Sequence, residues 1–168
     1  MAFEYNWKNN EANFGPPVSK QVKGGLHITF EIVLKKDNKY VALRRSKGIP
    51  GHELPKKSKS SKKGLFYFCH DLIRYGESIE DCVKRIVKAQ TGVDIKNLKI
   101  VDIESFAQEK DDQWAFTPYI IAELKDLPKP GVYGNEISEV VTFTKDNIPD
   151  EFGWWAKEEL KEFINDFD

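Results

Sequence analysis

Apolar and polar residues alternate from Leu26 to Leu34, and β-branched residues recur there, the signature of a strand with one buried face. Asp37-Asn38 then interrupts the pattern with two residue types that tolerate left-handed backbone, and Tyr40 to Arg45 resumes it, so the pair reads as a hairpin. Leu65–Phe68 is a short apolar-aromatic strand. From Ile79 the repeat changes. Ile79, Cys82, Val83, Ile86, Val87 and Gln90 fall on one arc at about 100° per residue, with Lys84 and Lys88 opposite. Ser78 is placed to cap this helix, Asp81 is a short-armed capping-box partner, and Gly92 suits the left-handed position after the last turn. Glu80–Lys84 and Asp81–Arg85 have the favourable i,i+4 orientation for ion pairs. Two long strands are expected at Leu98–Gln108 and Gln113–Leu124. The second is apolar enough for burial on both faces, and its Pro118 implies an edge position or a bulge. A last strand at Glu136–Phe143 and helical spacing over Trp154–Ile164 complete an α/β chain with no internal repeat.

The breaks in these patterns set the domain organisation. Residues 1–24 form an N-terminal arm, in which Phe3, Tyr5, Trp7 and Phe14 lie among polar residues and a Gly15-Pro16-Pro17 break. Residues 25–168 form the domain. Aromatics of the arm docking on the domain is the simpler expectation, and a homodimer contact through the arm is the alternative. The segment Ser46–Lys63 reads as an inserted loop, with five lysines and no acid between Lys56 and Lys63. Such a run is usually a solvated loop; the competing reading is an interaction or RNA-contacting surface, since clustered positive charge concentrates anions. It lacks interleaved aromatics for base stacking, which argues against nucleic acid.

Composition narrows the class without deciding the chemistry. The chain has 168 residues, 40% hydrophobic and 32% charged, with a formal net charge of −1. That is an ordinary globular balance, and it argues against a general nucleic-acid or membrane-surface binder. Two cysteines, Cys69 and Cys82, make no disulfide framework and match no zinc spacing. No signal-peptide pattern or membrane-length apolar run is evident, so a cytoplasmic setting is expected.

The stretch Gly76-Glu77-Ser78 through Arg85 to Gly92-Val93 resembles the Nudix box, the loop-helix signature of hydrolases that act on nucleoside diphosphates linked to another group. The order hairpin, loop, strand, box helix, strand pair, late strand and C-terminal helix is similar to the Nudix α/β/α sandwich with a central mixed β-sheet. The resemblance implies that Glu77 and Arg85 tie the loop to the helix. It also marks three helical positions that hold a divalent cation in the family, where this chain has Ile86, Ala89 and Gln90. The opening glycine of the box is Asp71, and the family's Pro-Gly-Gly turn stands here as Cys69-His70-Asp71.

Mg²⁺ needs hard oxygen ligands, and a hydrocarbon, a methyl and a neutral amide supply almost none. The chain therefore reads as a Nudix-fold module that binds a nucleotide-type small molecule without conventional metal-dependent pyrophosphohydrolase activity. The alternative is an active hydrolase with a rebuilt Mg²⁺ or Mn²⁺ site, drawing ligands from Asp71, Glu77, Gln90, Glu109, Asp112, Glu136 or Glu139. Candidates for relocated acid-base chemistry are His70, Asp71, Glu77, Glu136 and Glu139; for each of them a capping, pairing or solvated role is the simpler reading. Arg44, Arg45 and Arg85 are candidates for a phosphate, and Trp114 for stacking on a base. Cys69 reads as a buried thiol rather than a nucleophile.

Overall fold

The Asp37-Asn38 turn takes the left-handed backbone that a two-residue hairpin demands, with φ of 50° and 61°. The computed structural model describes residues 22–45, 64–108, 113–131 and 137–165, together with two short strands near the N-terminus. Those strands, β1 (Tyr5–Asn6) and β2 (Glu11–Ala12), pair antiparallel with each other. Residues 1–4, 7–10 and 13–21 of the arm, the lysine run at 56–63, Glu109, Asp112 and Glu136 lie outside the described residues.

The hairpin joins β3 (Leu26–Lys36) to β4 (Lys39–Arg45) in a seven-stranded sheet. Its other members are β5 (Phe66–Tyr67), β6 (Cys69–Leu72), β7 (Ile95–Gln108), β8 (Gln113–Leu124) and β9 (Ile137–Phe143). The order runs β5-β4-β3-β8-β7, with β6 added to β3 and β9 to β4. β3 and β8 are parallel and the other pairs antiparallel, so the sheet is mixed.

Alternation along β3 and β4 divides the interior into two cores. Ile32, Leu34, Val41 and Leu43 face one way, and Val33, Tyr40 and Ala42 the other. Helix α1 (Ile79–Thr91) covers the first face with Cys82, Val83, Ile86 and Val87. Helix α2 (Lys157–Asn165) covers the second with Leu160 and Ile164. The helix ends follow the expected chemistry. Ser78 Oγ accepts from the Asp81 N–H and donates to its carboxylate, and Gly92, at φ 73°, returns its N–H to the Lys88 carbonyl.

Two expectations are corrected. β8 lies between β3 and β7, so of the two positions that Pro118 implied it is not the edge. The β7 register shifts between Ile100 and Asp102, beside the Ile103↔Pro118 pair, which is the bulge. The missing N–H of Pro118 is tolerated because the β3 register skips from Ile28↔Phe116 to Glu31↔Tyr119, leaving Thr117 and Pro118 without partners there. The second correction is at Cys69-His70-Asp71, which makes no tight turn. With no glycine or proline to bend it, the segment runs straight as β6 and pairs Ile32↔Cys69, Glu31↔His70 and Phe30↔Asp71.

Candidate functional site

Arg85 and Glu77 close a two-pronged clamp at the start of α1. Arg85 Nε donates to Glu77 Oε1 at 2.7 Å and Nη2 to Oε2 at 2.8 Å, while Nη2 also reaches the Leu72 carbonyl at 2.9 Å. The Arg74 N–H adds a bond to Glu77 Oε2. The strand, the turn and the helix are thereby tied together. These bonds, those from Arg85 first, hold the Glu77 carboxyl down at about 2, and they raise Arg85 above its usual range. The expected Asp81–Arg85 ion pair is displaced by this clamp, and Asp81 bonds Ser78 instead. Glu80–Lys84 forms as expected, at 2.6 Å.

The three helical positions that would hold a cation meet different fates. Ile86 is fully buried in the core beneath α1, and Ala89 is exposed with nothing to donate. Gln90 has both ends of its amide committed: Oε1 accepts from Arg45 Nη2 at 2.9 Å, and Nε2 donates to the His70 carbonyl at 2.7 Å. Asp71 accepts from its neighbour's N–H and from Arg85 Nη1 at 3.3 Å. A hard divalent ion wants several anionic oxygens facing one point. Asp71 and Glu77 are instead turned to Arg85, and Gln90 to Arg45, so this donor set does not fit Mg²⁺ or Mn²⁺. Among the described residues no group of three or more His, Cys, Asp or Glu side chains is arranged to hold a metal.

Arg45 stands at the centre of the polar groups that remain. Its guanidinium carbon lies 5.8 Å from the centroid of Tyr67. The Tyr67 ring is 6.4 Å from both His70 and Trp154, which are 6.3 Å from each other and nearly perpendicular. Gly153 makes this packing possible, because a Cβ there would overlap the Tyr67 ring. Glu31, the cross-strand partner of His70, is buried, and its Oε1 has no hydrogen-bond partner among the described residues. Burial pushes its carboxyl up to about 8, against the pull of Arg45. Burial also raises Cys69 to about 12 and Cys82 to about 11, so both stay as inert thiols.

The other candidates are placed elsewhere. Arg44, next to Arg45 on β4, points to the opposite side of the sheet, where three of its five N–H donors are used. Nε donates to Glu139 at 2.7 Å, Nη2 to Glu151 at 2.6 Å and Nη1 to the Gly64 carbonyl at 2.7 Å, with the guanidinium 4.0 Å above the Phe66 ring. Arg44 and Glu139 thus join β4, β9 and the chain before α2, and the positive charge of Arg44 is already paired with two carboxylates. Trp114 sits opposite Leu26 at the start of β3 and donates to Ser105 across the hairpin, away from Glu31 and Arg45. An open groove of about 460 Å³ runs beside that end, bounded by Leu26, Ile28, Leu72, Arg74, Tyr75 and Glu77.

Glu31 and Trp154 were not among the residues singled out from sequence. The available signal for Glu31 was one acid inside the apolar run Phe30-Glu31-Ile32-Val33, where simple alternation assigns it to a solvated face. Among the described residues, no helix is long and apolar enough to cross a membrane.

Comparison with known proteins places this geometry in a family. The family model described as the NUDIX domain matches residues 25–163. The NAD-capped RNA hydrolase NudC of Vibrio vulnificus is 28% identical over 110 residues, which cover 65% of this chain but only 38% of that protein. The chain therefore spans well under half of that relative's length. Among solved structures, a MutT Nudix hydrolase from Burkholderia pseudomallei superposes with a TM-score of 0.58 at 13% identity, covering 81% of this chain and 96% of that one. An ADP-ribose pyrophosphatase from Streptococcus suis gives 0.54 at 14% identity, covering 83% and 87%. At such identities the likeness is one of fold.

Proposed function

Because the chain belongs to the NUDIX domain family, we propose that it is a Nudix-fold ligand-binding or regulatory module for a nucleoside-diphosphate-type molecule, without the conventional metal-dependent pyrophosphohydrolase reaction. The observation that carries this reading is the Gln90 amide, a neutral group whose oxygen and nitrogen are engaged by Arg45 and the His70 carbonyl at 2.9 and 2.7 Å. Ile86, buried in the core beneath α1, supports it, because its hydrocarbon side chain offers no lone pair to a cation. Metal-assisted cleavage draws on the ion both to generate the nucleophile and to neutralise charge on the phosphates. Neither contribution has a supporting donor set on α1.

The test is a turnover panel with the purified, unaltered protein. ADP-ribose, nucleoside-diphosphate sugars, dinucleoside polyphosphates and NAD are offered with Mg²⁺ or Mn²⁺, and product is followed by chromatography. No metal-dependent product is expected. Brisk pyrophosphate cleavage of any of them ends the reading.

One observation favours the second reading, an active hydrolase with a rebuilt site. The Asp71 side chain is half-exposed, beside the carbonyl that Gln90 holds. In that case Asp71→Ala abolishes metal-dependent cleavage, with Glu136 the next position to change.

A further inference from the structure

The two adjacent arginines of β4 are treated very differently. Arg44 is surrounded by two carboxylates and a carbonyl. Arg45 is given one neutral amide oxygen, so a single N–H of the five that a guanidinium carries is used by Gln90. Among the described residues the hydrogen-bond partner of the Arg45 side chain is this amide and not a carboxylate. Burial raises the carboxyl of Glu31, the acid on which Arg45 pulls, to about 8, so near neutral pH it offsets little of that charge. A part-buried, oriented guanidinium whose bonded partner among the described residues is neutral is a receptor for an anion.

The surroundings specify what else that anion carries. The Tyr67 ring is almost wholly buried, its hydroxyl has no hydrogen-bond partner among the described residues, and it packs beside Arg45. Trp154 leans edge-on against both Tyr67 and His70 yet remains 43% exposed. A large ring fixed by its edges, with open surface, presents a stacking platform. We infer that Arg45, with the aromatic wall of Tyr67, His70 and Trp154, forms a metal-independent site for a nucleoside diphosphate, with the phosphates on the guanidinium and the base against Trp154. The inference rests on the non-catalytic reading above and names the site that serves it. Arg45 supplies at this place the positive charge that a bound divalent ion would otherwise bring to a polyphosphate, and Gln90 is a positioning residue that aims it.

The test is calorimetric titration of the full chain with ADP and, separately, with inorganic pyrophosphate, both in excess EDTA. Saturable binding of both is expected. Arg45→Met weakens both by about 10- to 100-fold, the loss expected for charge-assisted hydrogen bonds. Arg45→Lys keeps the charge but not the planar fork and falls between, which keeps the test decisive if Arg45→Met fails to fold by circular dichroism. Trp154→Ala weakens ADP by about fivefold or more while leaving pyrophosphate unchanged. Binding that appears only when Mg²⁺ is added, or affinity unaltered in both Arg45 variants, overturns the site. Equal weakening of ADP and pyrophosphate by Trp154→Ala overturns the placement of the base. Failure to bind in EDTA, with the turnover panel also silent, removes this site and leaves the non-catalytic reading standing. Metal-dependent turnover instead removes that reading, and this inference with it.

Discussion

Gln90 holds Arg45 by one hydrogen bond of 2.9 Å from guanidinium to amide oxygen, and holds β6 by its other end. A neutral group is thus the pivot between a cation and a carbonyl. Gln90→Glu replaces the pivot with an anion that pairs with Arg45 and loses the bond to His70. The expected result is no gain in Mn²⁺ binding, read by electron paramagnetic resonance, and a fall of about tenfold in ADP affinity in EDTA as Arg45 is neutralised. A tight Mn²⁺ signal in this single variant would show that only one carboxylate was missing.

Glu31 makes stability depend on pH in an unusual direction. Its carboxyl is raised from 4.5 to about 8 in the folded chain, so between those values the unfolded state has released a proton that the folded state keeps. Stability therefore falls as pH rises through this window and levels off above it. Glu31→Gln keeps the shape and removes the ionisation. Its melting temperature should exceed that of the unaltered chain by on the order of 5 °C at the alkaline end, with the gap closing toward the acid end. An ionised Glu31 also attracts Arg45, so ADP binding should weaken above about pH 8 in the unaltered chain only.

The Glu77–Arg85 clamp carries the opposite sign. Glu77 is depressed from 4.5 to about 2, so its contribution is complete above the unfolded value and is lost as pH falls through that interval. Glu77→Gln should lower stability at neutral pH and flatten the acid limb of a urea-midpoint-versus-pH curve. Unchanged steepness there would mean that another carboxylate sets the acid limb.

Arg44 predicts an asymmetry between deleting an arginine and deleting its partners. Its side chain is 7% exposed, while those of Glu139 and Glu151 are 48% and 51% exposed. Removing the arginine lets both acids return to water, and Arg44→Met should cost about 1–2 kcal/mol in urea unfolding. Glu139→Gln together with Glu151→Gln strands a buried cation and should cost more, about 3 kcal/mol. The reverse order would mean that the aromatic contact with Phe66, rather than the charge, holds the guanidinium.

Local signals carried much of the fold. The caps at Ser78 and Gly92, the Asp37-Asn38 turn and the apolar arc of α1 each depend on neighbours within a few residues, and each stands where the pattern puts it. Pairing across long separations was less visible. Nothing near Pro118 tells that β8 has a parallel neighbour, and nothing near Cys69 tells that β3 will straighten that segment into a strand. The same limit applied at the site. Adjacent residues on a strand face opposite ways, so Arg44 and Arg45 were equivalent candidates until the register placed one against Glu139 and the other against Gln90. Glu31 was hidden because alternation measures pattern and not burial.

The parallel pairing of β3 with β8 also has a bearing on how the chain is made. Ile32 and Ile120 are partners, yet about half of the polypeptide separates them, and the box helix lies in that interval. During synthesis the first hairpin emerges long before the strand that completes its far side, and its open margin must be kept from other chains meanwhile. Fragments ending ahead of Leu124 should stay unfolded, so native architecture arrives late and all together.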